Sequence, residues 1–454
     1  MKLTVIGGGG VRSMFLAKSL AQKAQELDID KLYFMDTDPE KLRIYGAMAQ
    51  KVAKLLAPRL LFTCTESAEE ALDGADYVIT TIREGGDRLR ALDERAALDL
   101  GVLGQETTGA AGFSFAMRSV PALLEYCALA KKCSKPNVQI FNFTNPAGLV
   151  SQALWDAGYA FAHGICDAPS GMLNAFAKML QAEPGRVRGE LYGLNHLSFF
   201  SEVTLDGKNI LPALIENDAS YRQTDLRYFS KELLRRKQFI PNEYLYYYFS
   251  SSSALKHILE AEETRGEQIC RINRLMTAAL RGKDVANDFD SCLKIFEHYY
   301  GLRENSYMAS ETGVSRETKW SFNPFDRDAG GYAGVALRYI EIVNSGKTDS
   351  MILCAPNKGA IPGLEDDDVI EATCDVTPDG PVPHRFERFD EDALELIRRV
   401  KYYERKAARA ILDKNAADAA DALALHPLVN DCDIAQKLMS RFMEINEAYA
   451  EGWK

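Results

Sequence analysis

The segment Leu3-Thr4-Val5-Ile6-Gly7-Gly8-Gly9-Gly10-Val11-Arg12-Ser13 decides the fold. A short apolar strand runs into four glycines, and a helical pattern with Leu16, Leu20, Ala24 and Leu27 at helical spacing comes next. Glycines let the backbone turn tightly and approach a pyrophosphate. The helix behind them offers free N–H groups and the positive end of its dipole. Gly7, Gly8, Gly9, Gly10, Val11 and Arg12 are therefore candidate cofactor contacts, with Arg12 standing where the usual motif has its third glycine. A second strand ends at Asp36, whose carboxylate suits a ribose 2′-hydroxyl and repels a 2′-phosphate, favouring NAD over NADP. Taken alone, the segment also fits a glycine-rich turn that binds nothing, or an ordinary dehydrogenase.

Further apolar runs follow at Leu32–Met35, Tyr77–Ile82, Val138–Phe143 and Phe161–Ile165. They are short and lack strict alternation, as strands buried on both faces do. Helical patterns lie between them, including Asp93 to Leu100 and Met117 to Lys132. This alternation predicts a Rossmann-type α/β domain with a doubly wound parallel sheet over residues 1–192. From Gly193 the pattern changes. Strand-like Phe199–Leu205 ends at the turn Asp206-Gly207, and charged helical stretches cover about 228–238, 253–300 and 390–422. A loop rich in Gly, Pro and Asp is expected over about 355–385. Residues 193–454 thus read as a mixed α+β, largely helical substrate or catalytic domain. The two-domain whole is expected to be lactate/malate dehydrogenase-like.

The 454 residues are 46% hydrophobic and 26% charged, a composition that buries a large core. A net charge of −11 disfavours nucleic acid or an anionic membrane surface as the main partner. The nine cysteines show no CxxC pair, so a disulfide framework is not expected and a reducing, cytoplasmic compartment is. No leader pattern and no membrane-length apolar run is read from the sequence.

Six segments concentrate chemistry: Thr81-Ile82-Arg83-Glu84-Gly85-Gly86, Arg90 through Glu94, Gly104-Gln105-Glu106-Thr107-Thr108-Gly109, Asn142-Phe143-Thr144-Asn145-Pro146, Cys166-Asp167-Ala168-Pro169 and Gly193-Leu194-Asn195-His196-Leu197. Three of them follow predicted strand ends, the edge where parallel sheets bind ligands. In this order they resemble glycoside hydrolase family 4, the NAD- and metal-dependent glycosidases. The resemblance extends through Pro241-Asn242-Glu243-Tyr244-Leu245, Thr264-Arg265, Asn357 through Ile361 and His426-Pro427-Leu428-Val429. The arginine-bearing stretch from Ile82 to Glu94 looks like the branch acting on 6-phosphorylated sugars, and a 6-phospho-β-glucosidase is favoured over the α type.

The resemblance implies NAD+ and a divalent metal, Mn2+, as cofactors, with Thr81 and Asn142 as further cofactor contacts. Cys166 and His196 become the metal ligands, a thiolate and an imidazole that suit a transition metal. Each alone would more often be a buried structural residue. The implied reaction is redox-neutral, unlike the two-carboxylate glycosidases: oxidation at C3, deprotonation at C2, elimination of the aglycone, water addition and re-reduction. Tyr244 is the candidate base, Tyr247 its alternative, and simple aromatic packing the bland reading of both. Asp167 is the candidate acid, or else a solvated carboxylate at a strand end. Arg90 and Arg265 are candidate phosphate contacts, assisted by Ser13 and Arg83. Glu106 and Asn145 match positions that contact sugar hydroxyls. Partners implied are a phosphorylated glucoside and further copies of the chain, as a homodimer or homotetramer. The rivals are an NAD-dependent 2-hydroxy acid dehydrogenase and a nucleotide-binding sensor without catalysis.

Overall fold

Strands β1 (Lys2–Ile6), β2 (Lys31–Met35), β3 (Leu61–Thr65), β4 (Tyr77–Thr80), β5 (Gln139–Asn142) and β6 (Ala162–Gly164) form one sheet in the order β3-β2-β1-β4-β5-β6. All its pairings are parallel. This is the dinucleotide-binding order, and the chain reverses direction across the sheet between β1 and β4. The computed structural model describes residues 1–313, 318–327, 331–377 and 380–454.

The five expected strands are present, and β3 is an addition. It lies at the sheet edge, with Leu61 exposed and its other residues half-buried, so it lacks a continuous apolar run. Beyond the parallel sheet, β7 (Val187–Leu194) and β8 (Leu197–Leu205) form an antiparallel hairpin, joined by β9 (Lys208–Asn209) and β10 (Ile240–Pro241). The boundary expected between residues 192 and 193 falls inside β7. A third sheet holds β11 (Asp349–Pro356), β12 (Val369–Thr377) and β13 (Gly380–Pro383).

The loop expected over 355–385 is therefore corrected. The end of β11 with β12 and β13 takes up about half of it, the loop being confined to 357–368, with residues 378–379 outside the described set. Buried polar residues on β12, Glu371 and Thr373 among them, hid the strand by breaking its apolar pattern. The helical stretch 253–300 is interrupted, giving helices Ser251–Glu260, Arg265–Leu280 and Phe289–Asn305. Asn415 caps a new helix after Asp413, which splits 390–422 in the same way. No described helix is long and apolar enough to cross a membrane.

Two of the contacts that tie the later helices to the nucleotide-binding half also shape the site. An apolar cluster packs Met14, Tyr45, Met48 and Val52 against Met276, Leu280, Phe296 and Tyr300. The N-terminus of helix Arg265–Leu280 is fixed by a capping box, Thr264 with Glu267, and by Glu94, which accepts the Gly266 N–H at 2.7 Å. A Cβ on Gly266 would lie 2.6 Å from the Glu94 carboxylate, so only glycine admits this approach.

Candidate active site

Gly7 leaves β1 at φ +96°, and a Cβ there would strike the Thr81 carbonyl at 2.7 Å. The loop is anchored by Gly7 and Gly8 N–H groups on the Met35 carbonyl, each at 2.8 Å. Asp36 accepts the Gly9 N–H at 2.9 Å, and burial raises its pKa. The acid that would meet a ribose is thus held against the glycine loop. Ser13 turns inward and donates to the Gly8 carbonyl at 2.7 Å, bracing the loop rather than facing the cavity.

Cys166 follows β6, and His196 occupies the two-residue tip of the β7–β8 hairpin, where Leu194 pairs with Leu197. The tip puts His196 at φ +62°, an uncommon conformation for a non-glycine residue. Asn195 holds it in place by donating to Glu371 at 2.9 Å, and Ser198 donates to the other Glu371 oxygen at 2.8 Å. Burial pushes Glu371 up to about 7.

The Cys166 Sγ lies 3.5 Å from His196 Nε2, and Thr107 Oγ1 lies 3.0 Å from Nδ1. Nε2 is thereby directed to the sulfur side, and burial holds the imidazole down to about 4, in its neutral ligating form. This spacing and donor set fit two ligands sharing one divalent cation. Burial, Glu371 and Asp167 raise the Cys166 thiol, a field that a cation would reverse. Among the described residues no group of three or more His, Cys, Asp or Glu gathers for a metal.

An arginine-rich wall faces the glycine loop. Glu106 bridges Arg83 and Arg90, with Arg90 Nη1 3.0 Å away. Burial raises its pKa, but the two guanidinium groups overcome that and hold it at about 2. Arg90 also donates to Glu94 at 2.9 Å. Arg265 instead donates to neutral acceptors, Gln268, Ser306 and the Arg303 carbonyl, at 3.0, 2.6 and 3.0 Å.

The tyrosines separate by environment. The Tyr244 ring lies flat on His196, centroids 4.0 Å apart and planes 6° apart. Burial and Glu243 raise its pKa, while Tyr307 is bonded to its side chain. Tyr247 donates to Glu311 Oε1 at 2.8 Å. Burial and that carboxylate keep it protonated.

A cavity of about 550 Å³ collects most of these groups. Gly7, Gly9, Gly10, Val11, Arg12, Asp36, Thr81, Arg83, Arg90, Glu106, Asn145, Tyr244, Tyr247 and Arg265 line it. Cys166, Asp167 and His196 are not among the lining residues, and Tyr244 provides the ring between His196 and the chamber. Asn142 is buried and engaged by Thr80 and Thr144, a strand-end clamp with no face on the cavity. Asp167 immediately precedes helix Ala168–Met179, without a side-chain capping bond; burial raises its pKa and the Arg12 charge opposes. The sequence reading missed Arg303, Tyr307 and Glu311 in the wall, and Glu371 behind the hairpin. Nothing in their local sequence marks them; only the packing of later helices and β12 brings them in.

A glycine loop at the sheet's reversal point, opening on a chamber walled by arginines and Tyr244, defines a dinucleotide-dependent enzyme class. Family models identify it further. The family 4 glycosyl hydrolase model matches residues 2–182, and the family 4 glycosyl hydrolase C-terminal domain model matches residues 191–429. The chain belongs to the family 4 glycosyl hydrolases.

Among its relatives, a probable 6-phospho-beta-glucosidase of Bacillus subtilis is 28% identical over 99% of this chain and 97% of its own length. A phospho-alpha-glucosidase of Clostridium acetobutylicum is 24% identical over 98% of both chains. The solved 6-phospho-beta glucosidase of Thermotoga maritima, with manganese, NAD+ and glucose-6-phosphate, is 29% identical over 99% of each chain, with a TM-score of 0.82. A lactate dehydrogenase from a Medee basin deep-sea metagenome library shares the fold at 12% identity, TM-score 0.52, over 90% of this chain and 98% of its own. The expected dehydrogenase-like architecture is therefore present.

Proposed function

We propose that this chain is a 6-phospho-glucosidase that uses NAD+ and Mn2+ and prefers β-linked substrates. The observation that carries this reading is the single chamber that joins the glycine loop, Tyr244 and an arginine wall. Similarity supports the anomer, since relatives named for β-linked substrates reach 28–29% identity and the α-named ones among these relatives 24%.

Gly7 to Val11 and Asp36 would hold NAD+, and Cys166 with His196 would hold the cation. When bound, the first supplies reversible oxidation of a sugar carbinol and the second Lewis-acid stabilisation of negative charge. The chain's own residues do the rest. Tyr244 takes the C2 proton; its hydroxyl is bonded to Tyr307, whereas the Tyr247 hydroxyl is bound to Glu311. Asp167 protonates the leaving oxygen, being the one carboxyl within two residues of either donor. Asn145 and Glu106 position sugar hydroxyls from the cavity wall. Arg265, free of carboxylate partners, grips the phosphate.

The test is hydrolysis of matched α- and β-linked 6-phosphoglucosides by purified protein, with and without NAD+ and Mn2+. Cleavage of the β substrate that needs both additions and leaves no net NADH is expected. NADH accumulating with small 2-hydroxy acids, and no cleavage, would replace this reading by the dehydrogenase.

A further inference from the structure

A neutral imidazole carries one ring proton, and only its bare nitrogen can ligate a metal. Which nitrogen of His196 is bare is decided by the hydrogen bond at the other one. Thr107 makes that bond, with Oγ1 at 3.0 Å from Nδ1. A hydroxyl can serve either way there: it can give its proton to Nδ1, or receive the Nδ1 proton on a lone pair.

Gln105 settles the direction. Its Oε1 accepts the backbone N–H of Thr107 at 2.7 Å and that of Thr108 at 2.5 Å. Two N–H donors on one atom identify that atom as the amide oxygen, because the NH2 group accepts nothing. The same oxygen lies 2.9 Å from Thr107 Oγ1. Two oxygens so close repel unless a proton lies between them, and of these two only the hydroxyl has one to give. Thr107 therefore donates to Gln105 and turns its lone pairs to His196. Nδ1 then carries the ring proton, and Nε2, 3.5 Å from Cys166 Sγ, is bare.

The turn that bears these groups is tightly built. A Cβ on Gly104 would lie 2.3 Å from the Glu94 carbonyl, and one on Gly109 2.6 Å from the Leu103 carbonyl. The Gly109 N–H closes the turn on the Gln105 carbonyl at 3.0 Å. Behind it is a second, smaller cavity, lined by Thr107, Thr108, His196, Tyr248 and His426 among others. There the His426 Nδ1 accepts the Leu428 N–H at 3.2 Å, so its other nitrogen is the one that donates to the Thr108 backbone. Two histidines on one small cavity thus hold opposite tautomers, which makes His426 an internal reference for His196.

We propose that Thr107, held as a one-way acceptor by Gln105, is the positioning residue that fixes His196 in the Nδ1–H tautomer and so keeps Nε2 free for a divalent cation. The inference rests on the proposed function only in taking Cys166 and His196 to hold that cation. The opposite tautomer would point a ring proton at the sulfur and block the imidazole as a ligand.

Heteronuclear NMR of the metal-free, full-length protein with isotope-labelled histidine reads the tautomers directly, and His196→Gln assigns the His196 signals. Nδ1 of His196 is expected to be protonated and Nε2 bare, with His426 showing the reverse. This wild-type spectrum decides first and needs no variant to fold. Thr107→Val removes the acceptor and keeps the shape. It should shift His196 toward the Nε2–H form and weaken Mn2+ binding, read by electron paramagnetic resonance, about 10-fold. Thr107→Ser restores a hydroxyl and should restore both the tautomer and the affinity.

A protonated His196 Nε2 in the metal-free wild type overturns the proposal. So does a Thr107→Val protein that keeps the wild-type tautomer, whatever its Mn2+ affinity, since Thr107 would then be structural only. If wild type shows the Nδ1–H tautomer and binds no Mn2+, the metal falls from the proposed function and the Thr107 lock stands. If it binds Mn2+ and its metal-free Nε2 is protonated, the lock alone falls.

Discussion

The Tyr244 ring and the His196 imidazole stack face to face, 4.0 Å between centroids. A candidate base and a candidate metal ligand from different segments thereby share one rigid unit. Tyr244→Phe preserves the stack and removes only the hydroxyl. It should lower kcat by about 10³-fold, with melting temperature and metal affinity held. Tyr247→Phe, whose hydroxyl serves Glu311, should retain most of the activity. Steady-state kinetics on both variants checks the assignment, and equal losses would contradict it.

Cys166→Ser replaces a thiolate with a poor ligand for a transition metal. Mn2+ affinity, read by electron paramagnetic resonance, should drop about 100-fold. Wild-type affinity in this variant would remove Cys166 from the metal site.

Asp36→Ala removes the carboxylate that would meet the ribose and that accepts the Gly9 N–H. NAD+ should bind about 10-fold more weakly, and NADP+ should gain relative to it. Fluorescence titration with both nucleotides measures the ratio; an unchanged ratio would show that Asp36 does not choose between them.

Glu94→Ala would leave Arg90 with Glu106 as its remaining carboxylate and free the Gly266 N–H. Removing one buried charged acceptor in this way costs about 1–3 kcal/mol. Chemical denaturation should report a loss of that order, and a change below about 1 kcal/mol would mean that the clamp is dispensable.

His384 lies between Glu190 and Asp375, at 2.9 and 3.0 Å, and hydrogen bonding to Glu190 outweighs burial to raise it from 6.5 to about 9. A histidine pKa raised by folding stabilises the protein below the unfolded value. That stabilisation is complete below pH 6.5 and is lost as pH rises through about 9. With solvent screening, it amounts to about 1 kcal/mol. The melting gap between wild type and His384→Ala should be widest at pH 6 and close by about pH 10. A gap independent of pH would refute the linkage.

The sequence exposed what depends on local pattern. Gly7 to Gly10, Asp36 and the apolar strands around them announce the parallel sheet, because glycine conformation and double-sided burial leave marks on adjacent residues. The motif segments likewise placed Cys166, His196, Tyr244 and Glu106, which the fold gathers around one chamber and its back wall. Arg303 and Glu371 left no such mark. Their roles arise from long-range packing, of helix Phe289–Asn305 on the nucleotide-binding half and of β12 behind the β7–β8 hairpin. Ser13 and Asn142 show the converse, since their side chains brace backbone, at Gly8 and at Thr144.

The β7–β8 hairpin also bears on how this chain can be divided. A fragment ending at residue 192 would keep six of the eight residues of β7 and lose the whole of β8, which pairs with it. Its new edge would be an unpaired, aggregation-prone strand. Split versions or chimaeras with relatives should therefore be joined in the Glu183–Arg186 turn, ahead of β7, where no strand pairing is cut. Even there the halves would have to be produced together, because the cluster of Met14 and Tyr45 with Phe296 and Tyr300 leaves each with a bare apolar face when alone.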